Sequence, residues 1–156
     1  MANKIYALLV GIDKYAPESG VLSLQGCVND IEAIEEYLKT TIAPKKEIAT
    51  QQKVSTDNGN KKIWELIPQK LINSSATRQA VIDGFSKHLT QADSEDIVLF
   101  YYAGHGSYET VPKAFETLEI NGKIETLVCH DSRTSGVPDL ADKELSYLIE
   151  KVAQKN

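Results

Sequence analysis

The stretch Ile97-Val-Leu-Phe-Tyr-Tyr-Ala-Gly-His-Gly-Ser107 decides the fold, because an apolar run leads directly into a histidine between two glycines. Residues 97–102 are nearly continuously apolar, which is typical of a parallel strand covered on both faces. A second run of this kind, residues 5–12, lies near the start of the sequence and ends in Gly-Ile-Asp. We therefore predict two buried parallel strands, 5–12 and 97–102.

Three helices are predicted from apolar residues that recur at helical spacing. The first covers about residues 29–40 and has Asn29 as its cap, and the second begins after Thr77. The third has Asp139 or Asp142 as its cap and runs almost to the last residue. Strands that alternate with helices indicate an α/β fold, a mostly parallel sheet with helices on both faces in three layers.

Two further segments have less regular patterns. Residues 44–73 mix charged and apolar residues around a turn at 57–60, and strands are expected there. From 115 to 128, alternating residues flank Asn121-Gly122, which is a strong signal for a type I′ β-hairpin, expected as an excursion from the main sheet. Because a crossover helix normally leads into another parallel strand, a sequence that ends on a helix is expected to lack the next strand.

The composition indicates a single domain, 1–156, with 42% hydrophobic residues available for one core. The net charge of −5 gives no basic patch, so neither nucleic acid nor a membrane surface is expected as a partner. Cys27 and Cys129 are too few for a disulfide framework, and no signal peptide is recognisable, so a cytoplasmic location is expected. The three histidines lack zinc-protease spacing, and no cofactor is predicted.

His105 is the candidate for chemistry. Open parallel sheets bind ligands outside the carboxyl ends of their strands, and His105 follows the strand 97–102 at that edge. Imidazole suits proton transfer near neutral pH, and the flanking glycines let another backbone approach closely. On spacing alone, a histidine that only satisfies local hydrogen bonds in a glycine turn explains the motif equally well.

Several separated segments resemble one family of proteins. They are residues 4–12, 24–30, 76–78, 96–107 and 125–148. Together, in order and over nearly the whole chain, they resemble the large-subunit (p20-like) region of caspase-like, metacaspase and orthocaspase cysteine peptidases. The resemblance implies a caspase-like α/β/α sandwich. It also implies that the intact protein is a cysteine endopeptidase that acts on protein or peptide substrates.

The resemblance assigns roles to particular residues. His105 matches the proton-shuttling histidine of the family, and the backbone N–H of Gly106 would form half of an oxyanion hole. The family's catalytic cysteine lies on the strand after the last predicted helix, about 50 residues beyond the histidine, where this sequence ends. Cys129 precedes that helix and is interpreted as structural. A C-terminal small-subunit chain or segment would therefore carry the nucleophile, and this chain alone is expected to be inactive.

Substrate preference is implied in the same way. Metacaspase-like members bind Arg or Lys in an acidic S1 pocket, and Cys27 and Asp30 match two of its positions, which predicts cleavage after Arg or Lys. Without the resemblance, Asp30 is explained equally well as a first-turn acidic residue of a helix. The calcium that some metacaspases need would fall near Asp139, Asp142 and Glu144, but capping and solvation explain these residues as well, so no metal is predicted.

Two other functions stay open at this stage. A catalytically inactive scaffold or regulatory interaction module would keep the fold without the chemistry. A different α/β hydrolytic enzyme would use His105 with Asp131 or Ser107, and this chain alone would then be active.

Overall fold

The main sheet consists of three parallel strands. The computed structural model describes residues 3–43, 64–111 and 122–155, in which β1 (Asn3–Gly11) lies between β2 (Trp64–Ile72) and β3 (Ile97–Ala103). The predicted runs 5–12 and 97–102 coincide with β1 and β3. One strand, β2, occupies the end of the irregular segment 44–73, and residues 44–63 lie outside the described residues.

β1 is the centre of the core. Each residue from Ile5 to Val10 is at most 6% exposed. On one face, Tyr6, Leu8 and Val10 contribute to the larger of two apolar clusters, and on the other face Ala7 and Leu9 contribute to the smaller one. A strand with both faces in apolar cores is what its uninterrupted apolar sequence predicts.

Helices cover both faces of this sheet. They are α1 (Cys27–Tyr37), α2 (Arg78–Asp83) and α3 (Asp142–Lys155). One π-helical turn extends α1 to Ile42, and a π-helical turn followed by a 3-10 turn extends α2 to Gln91. α1 packs on the face of Ala7 and Leu9, whereas α2 and α3 pack on the opposite face. The predicted three-layer caspase-like α/β/α arrangement is confirmed. Within the described ranges, no helix is long and apolar enough to cross a bilayer.

The helix starts agree only in part with the sequence prediction. The Thr77 hydroxyl accepts the Ala80 N–H at 3.2 Å and caps α2 as expected. The prediction that Asn29 caps the first helix is wrong, since α1 begins at Cys27. The carboxylate of Asp13 accepts the N–H groups of Cys27 (2.9 Å) and Val28 (3.2 Å) instead. This cap comes from the preceding loop, so a local capping pattern cannot reveal it.

The last helix, α3, begins at Asp142. The alternative prediction that Asp139 caps this helix is therefore wrong. Asp139 is 3% exposed and lies before the short strand β6 (Leu140–Ala141). Its carboxylate accepts hydrogen bonds from the Arg133 guanidinium (2.8 Å) and the Thr126 hydroxyl (3.1 Å). The buried carboxylate is therefore the centre of a loop-closing ion pair and does not cap a helix.

A second, antiparallel sheet forms the expected excursion. Its order is β4 (Gly106–Thr110), β5 (Lys123–Leu127) and β6. The predicted two-residue turn at Asn121-Gly122 is wrong, because Lys123 pairs with Thr110 and the Val111 N–H donates to the Gly122 carbonyl at 3.1 Å, so the partner strand is not the one directly before the dipeptide. The connection, residues 112–121, lies outside the described residues. β4 is mostly exposed and polar, so it lacks the alternating pattern that would have marked it as the partner strand.

Candidate active site

His105 lies at the carboxyl edge of the parallel sheet. β3 ends at Ala103, which is paired with Gly11 at the end of β1, so the segments after both strands leave the sheet at the same edge. The Ile12 N–H donates to the Ala103 carbonyl at 2.9 Å and holds the two exits together. The predicted position of the half-buried His105 at the rim of the sheet agrees with the structure.

The imidazole of His105 has a defined orientation. Its Nε2 lies 2.9 Å from the backbone carbonyl oxygen of Leu22, in the loop between β1 and α1. A carbonyl can only accept, so Nε2 carries the hydrogen in this contact and the neutral ring keeps its lone pair on Nδ1. The ring is therefore arranged to accept a proton at Nδ1.

Gly106 is the first residue of β4, and its N–H points away from β5. The Val128 N–H donates to the His105 carbonyl at 3.0 Å, which makes residues 105 and 128 a hydrogen-bonded pair. Bonded and non-bonded pairs alternate in an antiparallel ladder, so Gly106, opposite Leu127, belongs to a non-bonded pair. Its N–H is thus directed to the outer edge of β4, where it could donate a hydrogen bond to an oxyanion.

A cleft of 590 Å³ begins beside Gly106. Ser107 and Tyr108 of β4 line it, together with Glu125 of β5 and Asp142 of α3. Its volume is within the range of pockets that bind small ligands or short peptide segments. The cleft borders Gly106, but it lies over β4, β5 and α3, and His105 is not part of its lining.

Cys27 and Asp30 lie in the first turn of α1, at the same edge of the sheet. The loop that places the Leu22 carbonyl on His105 leads into Gly26, whose φ of +108° suits glycine and turns the chain into α1. Asp30 is exposed, and Cys27 is half-buried. Burial, and then the neighbouring Asp13, raise the pKa of the Cys27 thiol, which disfavours the thiolate. Asp30 is thus accessible to a cationic ligand.

Cys129 has the properties of a structural cysteine. It is 1% exposed, and its backbone N–H donates to the Ser132 hydroxyl at 2.8 Å. Burial raises the pKa of the Cys129 thiol to about 12. A thiol in this environment stays protonated near neutral pH and is a poor nucleophile.

Asp131, one of the two partners considered with His105 for a different hydrolase, binds another group. Asp131 Oδ1 accepts the backbone N–H of Arg78 at 2.7 Å, so this carboxylate binds the start of α2. The Nε2 atom of His105 is bonded to the Leu22 carbonyl. Asp131 is therefore not the group that orients His105.

The carboxylates considered for calcium do not form a cation site. Both oxygens of Asp139 contact Arg133, and Glu144 pairs with Arg78. Asp142 lies 3.1 Å from the ammonium group of Lys143. Among the residues that the structure describes, no group of three or more His, Cys, Asp or Glu side chains is arranged to hold a metal ion. These carboxylates are neutralised by cationic side chains of the chain itself, so they do not fit a calcium site.

Two residues that contact His105 could not be found from the sequence. Leu22 acts through its backbone carbonyl, which has no side-chain signal. The hydroxyl of Tyr15 accepts the backbone N–H of His105 at 2.8 Å, although the two residues are 90 positions apart. Only the folding of the β1–α1 loop onto the rim brings these groups to the histidine.

The parallel three-layer fold and the rim histidine define a caspase-like peptidase domain. The family model for the metacaspase, peptidase C14 domain matches residues 6–156. The chain belongs to this family.

Individual relatives agree with this assignment. The chain is 27% identical to Metacaspase-1 of Schizosaccharomyces pombe, over 96% of this chain and 30% of that protein. It is 30% identical to Metacaspase-1 of Plasmodium falciparum, over 95% of this chain and 21% of that protein. It is 28% identical to Metacaspase III c of Phaeodactylum tricornutum, over 94% of this chain and 39% of that protein. The chain thus spans less than two fifths of each of these relatives.

A solved structure supports the fold. A crystal structure of a protein from Geobacter sulfurreducens superposes with a TM-score of 0.61 at 25% sequence identity. The match covers 95% of this chain and 45% of the other. The similarity therefore extends over almost all of the present fold.

Proposed function

We propose that this chain is the large-subunit part of a cysteine endopeptidase in which His105 is the general acid and base. The observation that carries the proposal is the contact of Nε2 with the Leu22 carbonyl, which leaves Nδ1 as the proton acceptor. Family membership supports a cysteine peptidase. The cysteine that attacks the substrate is proposed to lie outside these residues, because Cys129 is buried and protonated.

The proposed reaction uses two groups of this chain. The nucleophilic thiol transfers its proton to Nδ1 of His105, and its sulfur attacks the scissile carbonyl carbon. The resulting oxyanion accepts the Gly106 N–H, which points to the outer edge of β4. His105 then returns the proton to the leaving amine, and water, deprotonated by the same imidazole, hydrolyses the thioester.

The side of β3 that has no neighbour among the described residues, here called its open side, is where a further strand is proposed to bind. The Ala103 carbonyl accepts a hydrogen bond on the β1 side. Because the polar groups of successive strand residues point in opposite directions, the N–H groups of Val98, Phe100 and Tyr102 point away from β1. A row of such groups pairs readily with another strand. A strand there would end beside His105, where the nucleophile is needed.

An apolar groove accompanies this open side. It has a volume of 410 Å³ and lies between the extension of α2, β3 and α3. Its lining includes Phe85, Leu89, Val98, Phe100 and Val152. Apolar side chains from one face of an added strand would fill it, as in a sheet that is covered on both faces. The occupant that we favour is a C-terminal segment or small-subunit chain that carries the catalytic cysteine.

Cleavage after Arg or Lys is part of the proposal. The exposed carboxylate of Asp30 lies in the first turn of α1, which follows the loop that contacts His105. A carboxylate there favours a cationic substrate side chain. No cofactor is proposed, since the carboxylates near α3 are paired within the chain. A cytoplasmic location is proposed from the two free cysteines.

The central test is His105→Ala in the intact protein that contains the following segment. We expect hydrolysis of a fluorogenic Arg peptide to fall by about 10²–10⁴-fold, because general acid–base catalysis is lost. The matched control is His88→Gln, which changes a histidine in the extension of α2. If His105→Ala keeps full activity, the assigned role is wrong. If the intact wild-type protein cleaves no peptide, an inactive scaffold or regulatory module is the better function.

Substrate preference is tested separately with Asp30→Asn. We expect kcat/KM for Arg and Lys peptides to fall by about tenfold or more, because a charge-assisted contact is lost. Glu32→Gln is the matched control, since Glu32 is an exposed carboxylate on the same helix. Equal losses in both variants would attribute the effect to the general charge of α1 and contradict an S1 role of Asp30.

A further inference from the structure

Two tyrosine hydroxyls, one from a buried and one from a partly buried side chain, contact the backbone of His105. Tyr15 is 8% exposed, and its hydroxyl oxygen accepts the His105 N–H at 2.8 Å. The hydroxyl of Tyr102, on β3, lies 2.9 Å from the His105 carbonyl and 2.8 Å from the Val128 carbonyl, and it donates its single hydrogen to one of them at a time. Both backbone polar groups of His105 are thus bound by tyrosines.

Both hydroxyls border Gly104, where a Cβ would meet each of them at 3.0 Å or less. The Tyr15 hydroxyl binds the N–H of His105, and the Tyr102 hydroxyl binds its carbonyl. Burial raises the pKa of both tyrosines, so the hydroxyls stay protonated over the working pH range of a peptidase.

Gly104 explains why this arrangement needs the first glycine of the Gly-His-Gly motif. A Cβ at this position would lie 2.5 Å from the Tyr102 hydroxyl oxygen and 3.0 Å from that of Tyr15. Both distances are shorter than ordinary contacts, so a larger residue would displace the hydroxyls. At Gly106, by comparison, a Cβ would meet only the Thr126 carbonyl oxygen, at an ordinary 3.7 Å.

The imidazole itself is held from the same side. The ring of Tyr15 packs on the His105 ring with centroids 5.3 Å apart and an interplanar angle of 42°. The Leu22 carbonyl, in the same loop as Tyr15, binds Nε2. The loop is anchored by hydrogen bonds of its own, from the N–H of Ala16 to the His130 carbonyl and from the N–H of Leu24 to the Asp13 carbonyl. A fixed loop therefore determines both the backbone and the ring of His105.

From this geometry we infer that Tyr15 and Tyr102 are positioning residues for His105. Their hydroxyl pair holds the histidine backbone so that Nε2 reaches the Leu22 carbonyl and Nδ1 remains the proton acceptor. The inference rests on the proposed role of His105 as general acid and base. It adds two residues that act through the histidine and do not touch the substrate.

The first experiment measures kinetics of the intact protein with the variant Tyr15→Phe. Loss of the hydroxyl leaves the His105 N–H without its partner, and a small displacement of a catalytic group can cost up to about 100-fold in rate. We expect kcat to fall by about 10- to 100-fold with KM within about twofold, and the acid limb of the pH–rate profile to move. Tyr6→Phe is the matched control, because Tyr6 is an equally buried tyrosine at the other end of β1.

The second experiment needs no catalysis and uses the chain of 156 residues. Nitrogen-15 NMR shifts of the His105 ring report its tautomer. We expect a single Nε2–H form in the wild type and a mixture of both neutral forms in Tyr15→Phe and in Gly104→Ala. Tyr6→Phe is expected to keep the wild-type tautomer.

The outcomes separate this inference from the proposed function. If His105→Ala is inactive while Tyr15→Phe keeps kcat within twofold and a single tautomer, the positioning role is overturned and the peptidase role stands. If Tyr6→Phe loses as much activity as Tyr15→Phe, the effect is a general loss of stability and the inference also fails. If His105→Ala remains active, the proposed function itself is wrong, whatever the tyrosine variants show.

Discussion

β1 and β3 are neighbours in one sheet, yet their environments differ. From Ile5 to Val10, β1 is almost completely buried, whereas Ile97 of β3 is 42% exposed and Val98 is 36% exposed. The sequences of the two strands are similarly apolar. Within the described ranges β1 pairs on both sides and β3 on one side only. The apolar sequence of β3 is thus suited to a burial that these residues alone do not provide, on the strand that leads into His105.

Amide exchange should show the largest contrast between the two strands. In the 156-residue chain, we expect the N–H groups of Val98, Phe100 and Tyr102 to exchange much faster than those of β1. The β1 amides open only with global unfolding, which for a small domain costs about 5–15 kcal/mol. Hydrogen–deuterium exchange read by NMR resolves the individual residues. Leu99 and Tyr101, whose N–H groups point to β1, serve as internal controls.

The same measurement on the intact protein sharpens the comparison. A strand added at the open side should protect the amides of Val98 and Phe100 to the level of their neighbours on the same strand. If these amides are already fully protected in the 156-residue chain, the open edge does not exist in solution. The proposed binding site for the strand would then have to be abandoned.

Side-chain truncation should give the next largest difference. Leu8 of β1 is fully buried and packs closely against Gly84 at the end of α2. We expect Leu8→Ala to lower the free energy of unfolding by about 3 kcal/mol, because it creates a cavity. Val98→Ala should cost less than about 1 kcal/mol in the 156-residue chain, since the side chain is already partly in water. Urea denaturation followed by circular dichroism measures both values.

The intact protein again provides the discriminating result for Val98. With a strand beside β3, this side chain becomes buried, and we expect the cost of Val98→Ala to rise to about 1–2 kcal/mol. The cost of Leu8→Ala should not change, because its surroundings are complete in the shorter chain. An unchanged cost at both positions would mean that the added segment does not pack beside β3.

Features that depend on contacts between residues close in sequence could be predicted, whereas features that depend on contacts between distant segments could not. The strands at 5–12 and 97–102 and the cap at Thr77 depend on neighbours a few residues away, and these predictions are confirmed. The predicted burial is confirmed for β1 but not for β3, whose residues are exposed or half-buried among the described residues. The cap by Asp13, the pair of Arg133 with Asp139 and the approach of Tyr15 to His105 depend on loops folding onto distant positions. No periodicity encodes such contacts.

The candidate site divides in the same way. A single motif at the end of a strand was sufficient to place His105 at the rim of the sheet. The groups that fix its tautomer were invisible, because Leu22 contributes a carbonyl and Tyr15 a hydroxyl from another loop. The hairpin was misplaced at its turn because β4 is polar and exposed and resembles a loop in sequence.

The smallest expected effect concerns the start of β3. Asp96 directly precedes this strand, and its carboxylate accepts the N–H groups of Lys4 (2.8 Å) and Asp93 (3.0 Å). The bonds from Asp93 and then Lys4 hold the pKa of Asp96 below its usual range. One carboxylate thus connects the beginning of β3 to the beginning of β1, on the only side where β3 has a described neighbour.

The sign of the pH dependence follows from this lowered pKa. A carboxyl group that is more acidic in the folded state stabilises the fold above its unfolded pKa, near 4, and the contribution is lost as the pH falls through the lower folded value. We expect Asp96→Asn to be slightly less stable than the wild type at pH 7 and to lose less stability than the wild type between pH 5 and pH 3. Urea midpoints across this range measure the difference. If the urea midpoints of the two proteins fall in parallel between pH 5 and pH 3, the Asp96 carboxylate does not connect β3 to β1. The start of β3 then depends on packing alone.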